Sequence, residues 1–291
     1  MTTTPAVAGS DVVAVRLPPR SLGHELRAVK IVWQRELIRF FRDRLRIVTS
    51  LLQPVLFLFV LGTGLAPVVG GGVGGIDFRT FLFPGVLSMA VLFTALFSAA
   101  SIVWDREFGF LREMLVAPVG RGAIVLGKCL GGATVATFQG LILLALAGVA
   151  GVPYDPGLML SLAGQLLLLS FTLTAVGVVA AARIRTIQAF MGLSQLILMP
   201  MFFLSGALFP LSNLPGWLQV LTRINPLTYA VDPMRSAVFD HLDVGTAARE
   251  AMNPGVTWWG WQVPIPLELT LVALMAVGML AVAVVQFRRA E

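Results

Sequence analysis

The chain has 291 residues, of which 57% are hydrophobic and 12% charged, about half the charged fraction of ordinary soluble domains. A soluble fold of this size cannot hide so much apolar surface, which makes the chain an integral membrane protein. Its net charge of +6 points to anionic headgroups and not to nucleic acid, because the basic residues flank hydrophobic runs.

Residues 1–20 are polar and Pro-bearing, without the continuous apolar core of a secretory signal, and read as a disordered tail. From Ser21 the pattern changes. Leu22, Leu26, Val29, Trp33, Leu37 and Phe40 recur at spacings of three and four, and at ~100° per residue they fall within an arc of roughly 80°. Arg27, Arg35, Arg39 and Arg42 lie away from that arc. Residues 21–46 therefore read as a basic amphipathic helix in the headgroup plane, a pattern shared with a helix packed on another protein element.

Six hydrophobic runs follow, at 47–67, 81–103, 129–152, 158–182, 187–209 and 265–287, each near or above the ~20 residues a spanning helix needs. Barrel strands would alternate polar and apolar residues over roughly ten, which these runs do not. The expectation is an all-α integral membrane fold: six transmembrane helices in a domain over 47–291, with the amphipathic helix before it. Seventeen Lys and Arg fall on one set of alternating sides and four on the other, which puts both termini and the loop 104–122 in the cytoplasm. In a bacterial cell that means the plasma membrane.

The outward loops differ in character. Gly70, Gly71, Gly72, Gly74 and Gly75 read as a flexible connector. The stretch 210–264 is broken by Pro215, Pro226, Pro233 and Pro254 into apolar pieces too short to cross, which suggests a re-entrant or interfacial hairpin. Trp258, Trp259 and Trp261 stand just before the last span, where an aromatic belt is expected.

Bond-making chemistry finds little to work with. The single Cys129 excludes an intrachain disulfide and a Cys-based metal site, His24 and His241 fall on opposite sides of the membrane, and no GxSxG elbow exists. Residues 122–128, GAIVLGK, match a phosphate loop in spacing. They lack a leading strand and carry Cys129 where Ser or Thr should follow, so Lys128 reads as snorkelling to headgroups. Gly127, Gly131 and Gly132 read as close helix packing. Gln53, Gln139, Gln165 and Gln195 are the notable polar residues within the spans; interhelical hydrogen bonding or the lining of a substrate cavity are their two readings. No span carries a charge near its middle, so ion-coupled transport finds no carrier group.

The charged stretch DREFGFLREMLVAPVGR, 105–121, sits between the second and third spans. On a helix Phe108, Leu111 and Leu115 would share a face, with Pro118 ending the run; an aromatic anchor with a charged rim suits a small docking surface. The longer run SIVWDREFGFLREMLVAPVGRGAIVLGK at 101–128, with NPLTYAVDPMR at 225–235, resembles the permease subunit of ABC exporters of the second type, the daunorubicin-resistance-like membrane subunits. The resemblance covers nearly the whole chain from Ser21. It implies a dimer with a second permease copy or close paralogue, and two ABC ATP-binding subunits that bind ATP and Mg; this chain would bind no cofactor and no metal, and would catalyse no bond chemistry itself. It also implies a coupling role for Asp105, Arg106, Glu107, Phe108, Gly109, Arg112 and Glu113, and an extracellular re-entrant signature at Asn225, Pro226, Tyr229 and Arg235. The expected cargo is a drug-like natural product or a lipid, with a polysaccharide or lipid-linked glycan as the alternative and an ATP-independent channel or carrier as the competing class.

Overall fold

The computed structural model describes residues 21–64, 67, 77–110, 119–211, 214–242 and 245–289. The N-terminal tail, the glycine connector 70–75, and Leu111, Arg112, Glu113, Leu115 and Pro118 of the coupling stretch lie outside the described residues. The elements are α1 (Leu22–Arg42), α2 (Arg44–Gly64), α3 (Phe78–Ser98), α4 (Ala100–Glu107), α5 (Arg121–Leu144), α6 (Pro156–Ala181), α7 (Ile187–Phe203), α8 (Gly216–Ile224), α9 (Thr228–Asp240), α10 (Thr246–Met252) and α11 (Ile265–Arg289). One antiparallel strand pair, β1 (Thr257–Trp258) with β2 (Trp261–Gln262), precedes α11 and is the exception among otherwise helical elements in the described residues.

Among the described residues, five helices are long and apolar enough to cross a membrane: α2, α3 with α4 as the 30-residue stretch Phe78–Glu107, α5, α6 and α11. The sixth expected span is shorter. α7 is an apolar helix of 17 residues, ending just after Pro200, with a turn through Gly206 at φ +77° in place of its expected last six residues. Two boundaries also move at the charged end. The second long helix runs through Asp105 to Glu107, and the third begins at Arg121, eight residues before the expected start. GAIVLGK is thus helical and not a loop. Hydropathy stops at a charge; these helices continue because their charges are paired inside the protein.

Side chains cap the starts of four helices. Ser21, Asp77, Asp155 and Thr186 each accept the hydrogen bond of a backbone N–H in the first turn of α1, α3, α6 and α7, satisfying donors a helix start leaves free. The core lies where α3, α5 and α6 meet, with α1 laid on α5 and α11 on α6. Close approach of α1 to α5 depends on Gly127 and Gly131, where an added Cβ would stand 2.7 Å from the Val32 Cβ and 2.6 Å from the Glu36 Cβ. Small residues four apart are the usual means of bringing two helices together in lipid.

α2 crosses with Pro54 in its middle, which removes the donor for the Ser50 carbonyl. Gln139 of α5 replaces it: its Nε2 donates to Ser50 O at 2.8 Å while its Oε1 accepts from the Thr94 hydroxyl of α3 at 2.5 Å.

Candidate functional site: a charge hub and the anchored coupling segment

α1 presents Val29, Val32, Trp33 and Glu36 toward α5, so it packs on protein along this face. Leu22 and Leu26, which belong to its apolar stripe, are exposed. Within the face sits a carboxylate. Glu36 is 6% exposed and accepts from Lys128 Nζ of α5 at 2.6 Å. Lys128 is therefore buried and does not snorkel to headgroups. Its remaining donors reach Asp105 Oδ2 at 2.6 Å and Ser101 Oγ at 3.0 Å, both on α4, and Asp105 Oδ1 accepts from Arg35 of α1 at 2.5 Å. Two cations and two carboxylates balance, which is the condition under which buried ions are tolerated. Trp33 Nε1 to Thr134 Oγ1 at 3.0 Å adds a further tie between α1 and α5.

From this hub the chain enters the stretch 108–120, inside the loop 104–122 to which the resemblance gives the coupling role, and both of its ends are fastened to other helices. At the entry, Arg106 donates to the carbonyls of Ala181, Ala182 and Ile184, at and just beyond the end of α6, a favourable place for a cation beside unpaired carbonyls. Glu107 accepts from Ile187 N at 2.9 Å and so caps α7. α4 then ends through Gly109, whose φ of +84° suits a residue without a Cβ. At the exit, the Glu25 carboxylate of α1 accepts from Gly120 N at 3.0 Å. Arg121 donates to the Phe287 and Arg288 carbonyls at 3.2 and 3.0 Å, at the end of α11.

Of the residues expected to couple, Asp105 and Arg106 thus direct their side chains inward, while Glu107 is exposed and caps α7 from the surface. Phe108 and Phe110 are 62% and 54% exposed. Trp104 is tilted against Phe108 at 5.6 Å, with the Arg39 guanidinium over its ring at 5.5 Å. Sequence reading missed Glu25, Arg35, Glu36 and Ser101. Glu36 left a signal: it falls about 20° from Val29 on the helical wheel, inside the apolar stripe.

Beside the hub opens a cavity of about 900 Å³ between α1, α2, α3, α4 and α5. Gln53 and Gln139 line it, together with Glu36, Arg39, Arg42, Asp43 and Arg46, Phe93 and Met191, so the cavity holds fixed charge of both signs. Gln165 and Gln195 are elsewhere: Gln165 is buried on Ser161 at 3.1 Å, and Gln195 is exposed on α7.

At the opposite end, the signature residues tie a two-helix hairpin, α8 and α9, to the end of α7. Asn225 Nδ2 donates to Met201 O at 2.7 Å and its Oδ1 accepts from Leu227 N at 3.0 Å, across the turn that contains Pro226. The Tyr229 hydroxyl donates to Arg223 O at 2.6 Å, and Arg235 donates to Gly206 O and Ala207 O at 2.8 and 3.2 Å.

Residues 27–239, which hold the hub, both ends of the coupling segment and this hairpin, match the family profile described as ABC-2 type transporter. The chain belongs to the ABC-2 type transporter family. Nodulation protein J of Rhizobium leguminosarum bv. trifolii is 30% identical over 213 residues, covering 72% of this chain and 80% of that protein. Nodulation protein J of Rhizobium meliloti is 30% identical over 207 residues, 70% and 78% of the two chains. Inner membrane transport permease YadH of Escherichia coli K12 is 26% identical over 212 residues, 72% and 81%. An ABC-2 chain is a multi-pass transport permease subunit and not itself the catalyst, and the family generally works with an ATP-binding subunit.

Proposed function

We propose that this ABC-2 chain is the membrane half of an ATP-driven exporter, receiving force through segment 108–120 from separate ATP-binding subunits that hold ATP and Mg. The observation that carries the reading is the anchoring of that segment. Arg106, Glu107, Glu25 and Arg121 join its two ends to α6, α7, α1 and α11, so a push on Phe108 and Phe110 is passed to four helices at once. An exposed aromatic pair on a short turn is what a docking groove can grip. The basic end then faces the cytoplasm with both termini, and the α8–α9 hairpin forms the re-entrant element at the outer exit.

The transported compound is amphipathic. Phe93, Phe97, Met89 and Met191 give the cavity an apolar wall, while Arg39, Arg42 and Arg46, with Glu36 and Asp43 among them, mark its polar side. Three guanidinium groups against two carboxylates, one of them already bonded to Lys128, leave that side net positive and suited to an acidic or phosphate-bearing head, which favours a lipid or lipid-linked glycan over a neutral drug-like compound. Apolar side chains left exposed on α2 and α7, including Leu52, Leu56, Leu196 and Phe203, support pairing with a second copy or a paralogue.

The test is co-expression with a candidate ATP-binding subunit, followed by co-purification and ATP-dependent transport in vesicles. Glu107→Arg combined with Glu113→Arg should abolish transport while membrane insertion is kept. Transport that survives this change, or proceeds without ATP or any ATP-binding subunit, would return the chain to the class of carriers and channels.

A further inference from the structure

Three ionisable side chains sit out of solvent at the far end from the hub. Asp232 and Arg235 on α9 and Glu268 in the first turn of α11 are 8%, 3% and 0% exposed. Arg235 is held by the Gly206 and Ala207 carbonyls, with its guanidinium 4.0 Å from the centroid of Phe81. Asp232 Oδ2 accepts from Val256 N at 2.9 Å. Asp232 Oδ1 has no partner among the described residues, and neither does either oxygen of Glu268. α9 and α11 pack on one another, and the buried carboxylate oxygens left without donors are on the carboxyl each of them brings to that contact.

Two ionised carboxylates cannot bond one another, since both only accept. With one proton between them, the O–H of one donates to the other, and a repulsive contact becomes a satisfied one. The charge count agrees. Fully ionised, Asp232, Glu268 and Arg235 leave one uncompensated negative charge in the interior, which is strongly disfavoured; one shared proton makes the group neutral. A metal cation in that place would meet the neighbouring guanidinium.

We propose that Asp232 and Glu268 together form a proton-binding site between α9 and α11, and that its proton fastens the hairpin to the last spanning helix. The other ionisable groups among the described residues of the packed elements are engaged elsewhere. α9 adds Arg235, Asp240 at its far end, paired with Arg249 of α10, and the Tyr229 hydroxyl, the latter bonded to Arg223 O and accepting from Trp258 Nε1. Arg223, on α8, stacks over Trp259 at 4.8 Å. α6 carries no ionisable residue along its length, and neither does the connection 253–264. α3 offers Arg79 alone, which lies against Gly62 of α2. The ionisable residues of α5 are Arg121, Lys128 and Cys129, in its first nine residues at the basic end. Loss of the proton sets two carboxylates in contact and drives α9 away from α11. Which compartment supplies the proton rests on the orientation proposed above.

The experiment uses the full chain in lipid nanodiscs. Infrared titration should show a protonated carboxyl at neutral pH that shifts in heavy water and titrates away on the alkaline side. One such group should be lost in Glu268→Gln and in Asp232→Asn. The wild-type melting temperature should also fall more steeply with rising pH than that of Glu268→Gln, whose amide donates to Asp232 at any pH. Absence of the band at neutral pH overturns the proposal, as does its persistence in both variants. So does stabilisation by sodium over choline at fixed pH, which would make the pair a cation site. Should one variant fail to fold, the other decides; should both fail, the wild-type titration decides, because the buried carboxylate oxygens without partners among the described residues are all on this pair. None of these readouts needs transport or an ATP-binding subunit, so failure here leaves the exporter reading intact, and failure of that reading leaves this one intact.

Discussion

The cluster around Lys128 and the cluster around Asp232 are buried alike, at opposite ends of the bundle, yet only the first is closed. In the hub each carboxylate meets a cation at 2.5 or 2.6 Å and the charges cancel within the protein. In the far cluster three carboxylate oxygens lack donors among the described residues, and Arg235 is turned to backbone carbonyls. A closed set of charges makes a joint that keeps one geometry. An open set needs something from outside, and so can respond to its surroundings.

The largest expected effect comes from opening the hub. Lys128→Met leaves Glu36 without its partner and gives the cluster the negative excess of the outer one; the expected loss is about 3–5 kcal/mol, measured by thermal unfolding in nanodiscs. Adding Glu36→Gln should recover part of that loss, and a double variant no better than the single one would show that the pair is not the source of the joint's stability. Next is Gly131→Leu, which keeps every charge and forces α1 off α5. The expected cost is about 1–3 kcal/mol, with an engineered α1–α5 cross-link no longer forming. Trp33→Phe should cost about 0.6 kcal/mol, because it removes one interhelical bond and little volume. Smallest for stability is Phe108→Ala, within about 0.5 kcal/mol, although binding of an ATP-binding subunit should weaken severalfold in a pull-down. If Phe108→Ala melts the protein instead, Phe108 is part of the fold and not a contact for a partner.

Legibility in the sequence followed the range of the interactions. The amphipathic stripe of α1, the long apolar helices and the proline-broken outer segment are local patterns, and the structure places helices in each. Gly127 and Gly131 were readable as packing residues because small side chains four apart have few other uses in a helix. The hub was hidden. Lys128 and Glu36 are 92 positions apart, and hydropathy counts each as a reason to end a span, when together they allow α5 to continue. Asp105 was taken into a surface motif for the same reason: charge at a helix end looks like solvent exposure until its partner is known. Glu268 was passed over because it stands at the edge of its span, where a carboxylate is ordinary; only Asp232, brought to it by α9, makes it unusual. For the Gln residues, one chemical type covered three situations: Gln139 bridges helices beside the cavity, Gln165 is bonded on its own helix, and Gln195 is exposed on α7.

Gln139 also decides how α2 can move. A helix interrupted by proline bends about the missing backbone bond, and here the amide of a neighbouring helix occupies that gap. Bending at Pro54 requires the release of a single side-chain contact while the backbone ladder on either side stays whole. α2 thus carries a pinned hinge, and the pin lies on the wall of the cavity, within reach of whatever enters it.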